Sequence, residues 1–150
     1  LNPEFLNRLE RNISLPQGKK LVLNKELPPE YREYSPGSEM KWHRDTIVFD
    51  IPQYEVVITL DNTSDSQFMW KYETEPDKFH RANTNTNSVT VVRAGGIKHA
   101  VSKVNRGERV IIKACYDVTT SELKSDEGPP GEFNKLTTIP KHPVYPAASV

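Results

Sequence analysis

Between residues 39 and 118 the apolar side chains fall into short runs, each closed by turn-forming residues, and no strong helical period crosses them. This pattern constrains the fold more than any other feature of the chain. The runs are Met40–Phe49, ended by Asp50 and Pro52; Tyr54–Leu60, ended by Asp61-Asn62; Gln67–Tyr72; Ser88–Arg93, ended by Gly95-Gly96; Ile97–Val104; and Arg109–Val118. Their content of Val, Ile, Thr and aromatic residues suits a pleated, half-buried surface. Short strands with turn signals between them predict an all-β sandwich or barrel. His80–Asn87, HRANTNTN, is polar and reads as loop.

The flanks differ. Leu6, Leu9 and Ile13 recur at helical spacing, which predicts about two turns of amphipathic helix stopped by Pro16. Residues 19–24 read as a short strand, and Pro28-Pro29 and Pro36-Gly37 mark loop. Residues 119–150 hold five of the 12 prolines and few large apolar residues. The expected organisation is one domain over 1–118, its core in 34–118, and a Pro-rich C-terminal extension over 119–150. No internal repeat points to an array.

Composition removes several classes. Twenty basic residues balance 20 acidic ones, so a non-specific nucleic-acid or acidic-membrane binder is not expected. No apolar run approaches the roughly 18–20 residues of a membrane span. A single cysteine, Cys115, excludes an intrachain disulfide framework and a multi-Cys zinc site, and favours an intracellular, reducing compartment such as the cytoplasm. The segment LNPEFLNRLERN lacks the charged-then-apolar pattern of a signal peptide. The sequence contains no Walker-type loop, G-x-S-x-G or H-E-x-x-H. Asp61 and Asp65 lack the Gly and Glu spacing of a calcium loop.

Three positions carry chemistry. In His43-Arg44-Asp45 the outer two side chains would share one face of a strand, so an imidazole nitrogen and a carboxylate oxygen could reach one ion; a surface ion pair is the other reading. His99 follows Asp45 by 54 residues on another strand candidate. Two histidines and one carboxylate form the facial set that holds Fe(II) and leaves open positions. Alone, His99 reads as a core histidine. Arg109, ten residues beyond His99, opens an apolar strand, GERVIIKACY. Its guanidinium fork matches a carboxylate if it points inward, and is a strand-end charge if it points outward. His80 and His142 read as exposed, and Cys115 as a buried small hydrophobe.

Together, His43-x-Asp45, His99 and Arg109 resemble the signature of Fe(II)/2-oxoglutarate-dependent dioxygenases. Tyr34–Asp45, YSPGSEMKWHRD, resembles the lead-in to the iron-binding strand of the prolyl 4-hydroxylase-like branch. Ala94–Tyr116, AGGIKHAVSKVNRGERVIIKACY, resembles its second-histidine segment. The resemblance covers about residues 34–117 and implies a double-stranded β-helix (jelly roll) with a short N-terminal helix. His43 and Asp45 would lie on its second strand, His99 on its seventh, and Arg109 at the start of its eighth. The link from His99 to Arg109 would then cross between sheets. A plain hairpin would turn the two side chains to opposite faces.

The resemblance further implies Fe(II) on His43, Asp45 and His99, with 2-oxoglutarate and O2 as cosubstrates and ascorbate as an accessory reductant. Arg109 would pair with the far carboxylate of 2-oxoglutarate. Thr59, where several members place a Tyr, and Tyr34 are further candidates to bind that cosubstrate. The implied activity is hydroxylation of a protein side chain, proline favoured, or of a small molecule, with succinate and CO2 as coproducts. A nucleic-acid demethylase is disfavoured, because no second Arg stands near Cys115. Trp42, Trp70 and Tyr72 are candidates for the mouth of the site. The other class open to this sequence is a non-catalytic jelly-roll binding or interaction domain, in which the triad does not converge.

Overall fold

The fold is described over residues 2–120 of a computed structural model. One helix, α1 (Pro3–Asn12), precedes nine strands: β1 (Lys19–Leu23), β2 (Glu30–Tyr34), β3 (Met40–His43), β4 (Gln53–Asn62), β5 (Gln67–Lys71), β6 (His80–Asn83), β7 (Val89–Arg93), β8 (Lys98–Val101) and β9 (Arg109–Thr120). Asn2 caps α1 by accepting from the Glu4 N–H at 2.7 Å, and Pro3 sits where a missing N–H costs nothing. The helix ends at Asn12, short of Pro16, where the chain turns through Ser14 at φ 52°.

The strands form two antiparallel sheets. In the first, β1 and β2 both pair with β9, followed by β4 and β7. The second has the order β3-β8-β5-β6. From β2 onward the chain visits first, second, first, second, second, first, second, first. The β8–β9 link therefore crosses between sheets, as expected, and Arg109 pairs with Tyr34 and Asn62 rather than with Val104. Gly107 makes the crossing possible. It adopts φ 72°, and a Cβ there would collide with the Thr63 carbonyl oxygen.

The two faces of the first sheet differ. Its outer face carries Tyr54, Val56, Ile58, Ala114, Tyr116 and Val118, packed under Leu9 and its neighbours on α1. Its inner face carries the alternate residues, which line a cavity of about 400 Å³ shared with the second sheet.

Several element boundaries differ from the sequence reading. The strand expected over Met40–Phe49 stops at His43. Beyond it the backbone bonds to loop partners: Gly95 N–H donates to the Asp45 carbonyl at 2.9 Å, and Val48 N–H to the Gln53 side chain at 3.3 Å. Asp45 therefore stands just past the strand, not on it. Glu30–Tyr34, between the two Pro-marked loops and not expected as a strand, is β2, and His80–Asn83, read as loop, is β6. Ile97–Val104 shortens to β8, and Tyr54–Leu60 lengthens to β4. Residues 121–150, with most of the expected Pro-rich extension and His142, lie outside the described residues.

Candidate metal centre and anion site

His43 ends β3 and His99 lies in β8, directly opposite it in the ladder. Residues paired across a ladder share a face, so both imidazoles project into the cavity, with ring centroids 4.3 Å apart. Each ring is oriented by a backbone carbonyl two residues back. His43 Nδ1 lies 2.7 Å from Lys41 O, and His99 Nδ1 3.1 Å from Ile97 O. A carbonyl only accepts, so each Nδ1 carries a proton, which leaves Nε2 as the ring atom able to ligate an ion. Both Nε2 atoms face Asp45 Oδ1, at 3.5 and 3.7 Å. These separations exceed a good hydrogen bond. They suit donors arranged around a shared ion, and all three donor atoms lie within 4.8 Å of one another.

Burial sharpens this picture. His99 is 1% exposed, and Asp45 Oδ2 is buried without a hydrogen-bond partner. The Asp45 carboxylate beside it raises the pKa of His43 above its ordinary value; burial opposes the shift, and the Lys41 carbonyl supports it.

Arg109, the first residue of β9, points inward and is 3% exposed. Its Nε is buried without an acceptor. Burial lowers its pKa, and only the Tyr34 hydroxyl opposes that shift. The Tyr34 ring lies 5.8 Å from the guanidinium carbon, and Tyr34 lines the cavity from the end of β2. Thr59 shares the inward-facing register of Glu55 and Val57. It is fully buried, its Oγ1 has no partner, and it is not among the cavity-lining residues. A buried cation on the cavity wall that lacks an acceptor suits an anion supplied from outside the chain; the Thr59 hydroxyl, off that wall, does not add to this observation.

The remaining candidates fall elsewhere. Of the aromatic residues proposed for the mouth, Trp42, Trp70 and Tyr72, none lines the cavity; Phe68 does. Trp42 packs edge-on against Phe79, with Lys71 Nζ 4.9 Å from its ring. His80 is not a free loop residue. It sits on β6, with its ring stacked on Trp70 at 5.4 Å. Cys115 faces the cavity, but burial pushes its thiol up to about 11, so it is no nucleophile at neutral pH. Sequence reasoning missed Glu30, Arg32, Glu55 and Lys113 in the lining. The one usable signal was the period of two that places Lys113 on Arg109's face.

The sequence matches no protein-family model and no curated protein. Among solved structures, the chain is similar to an oxidoreductase of the 2OG-Fe(II) oxygenase family from Burkholderia pseudomallei, with TM-score 0.63 and 15% identity, over 77% of this chain and 51% of that one. It is also similar to a prolyl-4-hydroxylase from Pseudomonas putida, with TM-score 0.56 and 18% identity, over 82% of this chain and 72% of that one. The likeness is one of fold. This chain spans about half the length of the Burkholderia protein. No helix among the described residues is long and apolar enough to cross a membrane.

Proposed function

We propose that this chain is a non-haem Fe(II)- and 2-oxoglutarate-dependent oxygenase built on a double-stranded β-helix. Counted from β2, the sheets read 1-8-3-6 and 2-7-4-5, the alternation of a jelly roll. The observation that carries the reading is the convergence of His43, Asp45 and His99 in one cavity with a buried Arg109 that lacks an acceptor. Two imidazoles and one carboxylate suit Fe(II) and leave coordination positions open. The prolyl-4-hydroxylase branch is the favoured one within the family.

In this reading His43, Asp45 and His99 hold the metal, and the backbone carbonyls of Lys41 and Ile97 fix the two rings. Arg109 binds the far carboxylate of 2-oxoglutarate through its guanidinium fork, with Tyr34 and Thr59 as additional donors. When bound, iron and 2-oxoglutarate supply the oxygen chemistry, in which O2 converts 2-oxoglutarate to succinate and CO2 and the substrate gains a hydroxyl group. The chain's own contribution is placement: the two sheets fix the metal ligands relative to Arg109. Ascorbate as accessory reductant, a protein side chain or small molecule as substrate, a cytoplasmic location and a Pro-rich extension complete the proposal; that extension starts beyond β9, at residue 121 rather than at the expected 119, because Thr119 and Thr120 pair with β1.

The test is succinate release by purified protein supplied with Fe(II), 2-oxoglutarate and air. We expect slow release by the wild type, none by His43→Ala, and by Arg109→Ala only at high 2-oxoglutarate. Release that persists in His43→Ala would contradict the reading. Absence of both metal and 2-oxoglutarate binding would favour a non-catalytic jelly-roll domain.

A further inference from the structure

Four charged side chains not used by the oxygenase reading line the same cavity. Glu55 projects from β4, Lys113 from β9, and Glu30 and Arg32 from β2. Lys113 Nζ lies 2.5 Å from Glu55 Oε1 and 4.0 Å from Glu30 Oε1. Arg32 Nε donates to Glu30 Oε2 at 2.7 Å. The charges thus alternate, acid-base-acid-base, across three adjacent strands, and they sum to zero.

The Glu55 and Lys113 side chains are only 17% and 20% exposed, and well-packed apolar residues often hold such positions as firmly. The outer face of the same sheet is apolar. Lys113 also stands clear of the Arg109 site, four residues on and about 13 Å along the same strand face.

We propose that this alternating wall recognises the prime substrate, and that the substrate is a free α-amino acid. The word substrate rests on the oxygenase reading; the binding site does not. A single ion entering between Glu55 and Lys113 would pair with one and leave the other unpaired in the most buried part of the wall, where the two side chains are only 17% and 20% exposed, against 46% and 31% for Glu30 and Arg32. A zwitterion avoids this penalty. Its carboxylate accepts from Lys113 or Arg32 while its ammonium donates to Glu55 or Glu30, so every charge keeps a counter-charge. A residue inside a polypeptide offers neither charge on its backbone.

The experiment is calorimetric titration of the full chain with each of the twenty free amino acids, with and without anaerobic Fe(II) and 2-oxoglutarate. The tightest binder is then compared with its N-acetyl and amide derivatives, each lacking one charge. We expect at least one free amino acid to bind, and both derivatives to bind at least tenfold more weakly. The Glu55→Gln/Lys113→Met double variant, which leaves no lone charge in that pair, should melt cooperatively and bind at least tenfold more weakly, whereas Lys113→Arg retains binding. The proposal is overturned if none of the twenty binds, if the blocked derivatives bind as well as the free acid, or if the double variant binds normally. Failure of the oxygenase reading looks different: amino-acid binding persists, but no succinate forms.

Discussion

Arg109 is the residue at which stability and the proposed function pull apart. Without a ligand it is a buried guanidinium whose Nε has no acceptor, a placement that costs stability. Arg109→Met keeps the length and removes the charge. Its melting temperature is expected to equal or exceed that of the wild type, while 2-oxoglutarate affinity falls by about 100-fold, as loss of a charge-assisted fork implies. Asp45→Asn should leave the fold intact and weaken Fe(II) binding by more than the roughly 10–100-fold that outer-shell partners cost. Equilibrium dialysis with Fe(II) checks this. His43 adds a pH dependence. Its folded pKa lies above the ordinary 6.5, so its imidazolium stabilises the metal-free protein fully below that value, and the contribution is lost as pH rises through the folded pKa. Metal binding runs the opposite way, because the ion must displace that proton. Melting curves from pH 5.5 to 8.5 should therefore show the stabilisation by added metal growing with pH. A metal effect that shrinks with pH would contradict the assignment of His43.

At the scale of elements, two substitutions separate the faces of the first sheet. Leu9→Ala removes a buried side chain of α1 from the outer face and should cost about 2–4 kcal/mol, with metal and 2-oxoglutarate affinities unchanged. Gly107→Ala strains the β8–β9 crossing, should cost about 1–3 kcal/mol, and should also weaken 2-oxoglutarate by displacing Arg109. Thermal melts and affinity measurements on both variants test this separation. The same two faces explain what the sequence made legible. Strands β4, β7 and β9 press apolar residues on the helix and were visible as β-branched runs. Strands β2 and β6 were not, for different reasons. The inward residues of β2, Glu30, Arg32 and Tyr34, are charged or polar although they line the cavity, and its outward Tyr31 is 60% exposed, so no apolar alternation marks it. β6 is an edge strand paired only with β5. Hydrophobic periodicity reports a packed core, and it falls silent where a strand turns charged side chains into a cavity. Asp45 shows a related limit. The two-residue spacing correctly suggested proximity to His43, but loop hydrogen bonds, not a strand, hold it there.

At the scale of the whole molecule, the account depends on the two sheets bringing His43, Asp45 and His99 from one side to the same cavity as Arg109 from the other. That juxtaposition was legible because His43-x-Asp45, His99 and Arg109 stand in the sequence at a recognisable order and spacing; the charged wall was not, because the period of two that sets Lys113 on Arg109's face does not say which face is inward, and nothing local marks Glu55 as buried. The most direct test is anaerobic titration of 2-oxoglutarate into the Fe(II)-loaded protein, followed by visible absorption. The account predicts a charge-transfer band that saturates at one equivalent, is absent in Asp45→Ala, and requires far more 2-oxoglutarate in Arg109→Met. A wild-type protein that binds Fe(II) but develops no band at saturating 2-oxoglutarate, or a band that persists unchanged in Asp45→Ala, would contradict it.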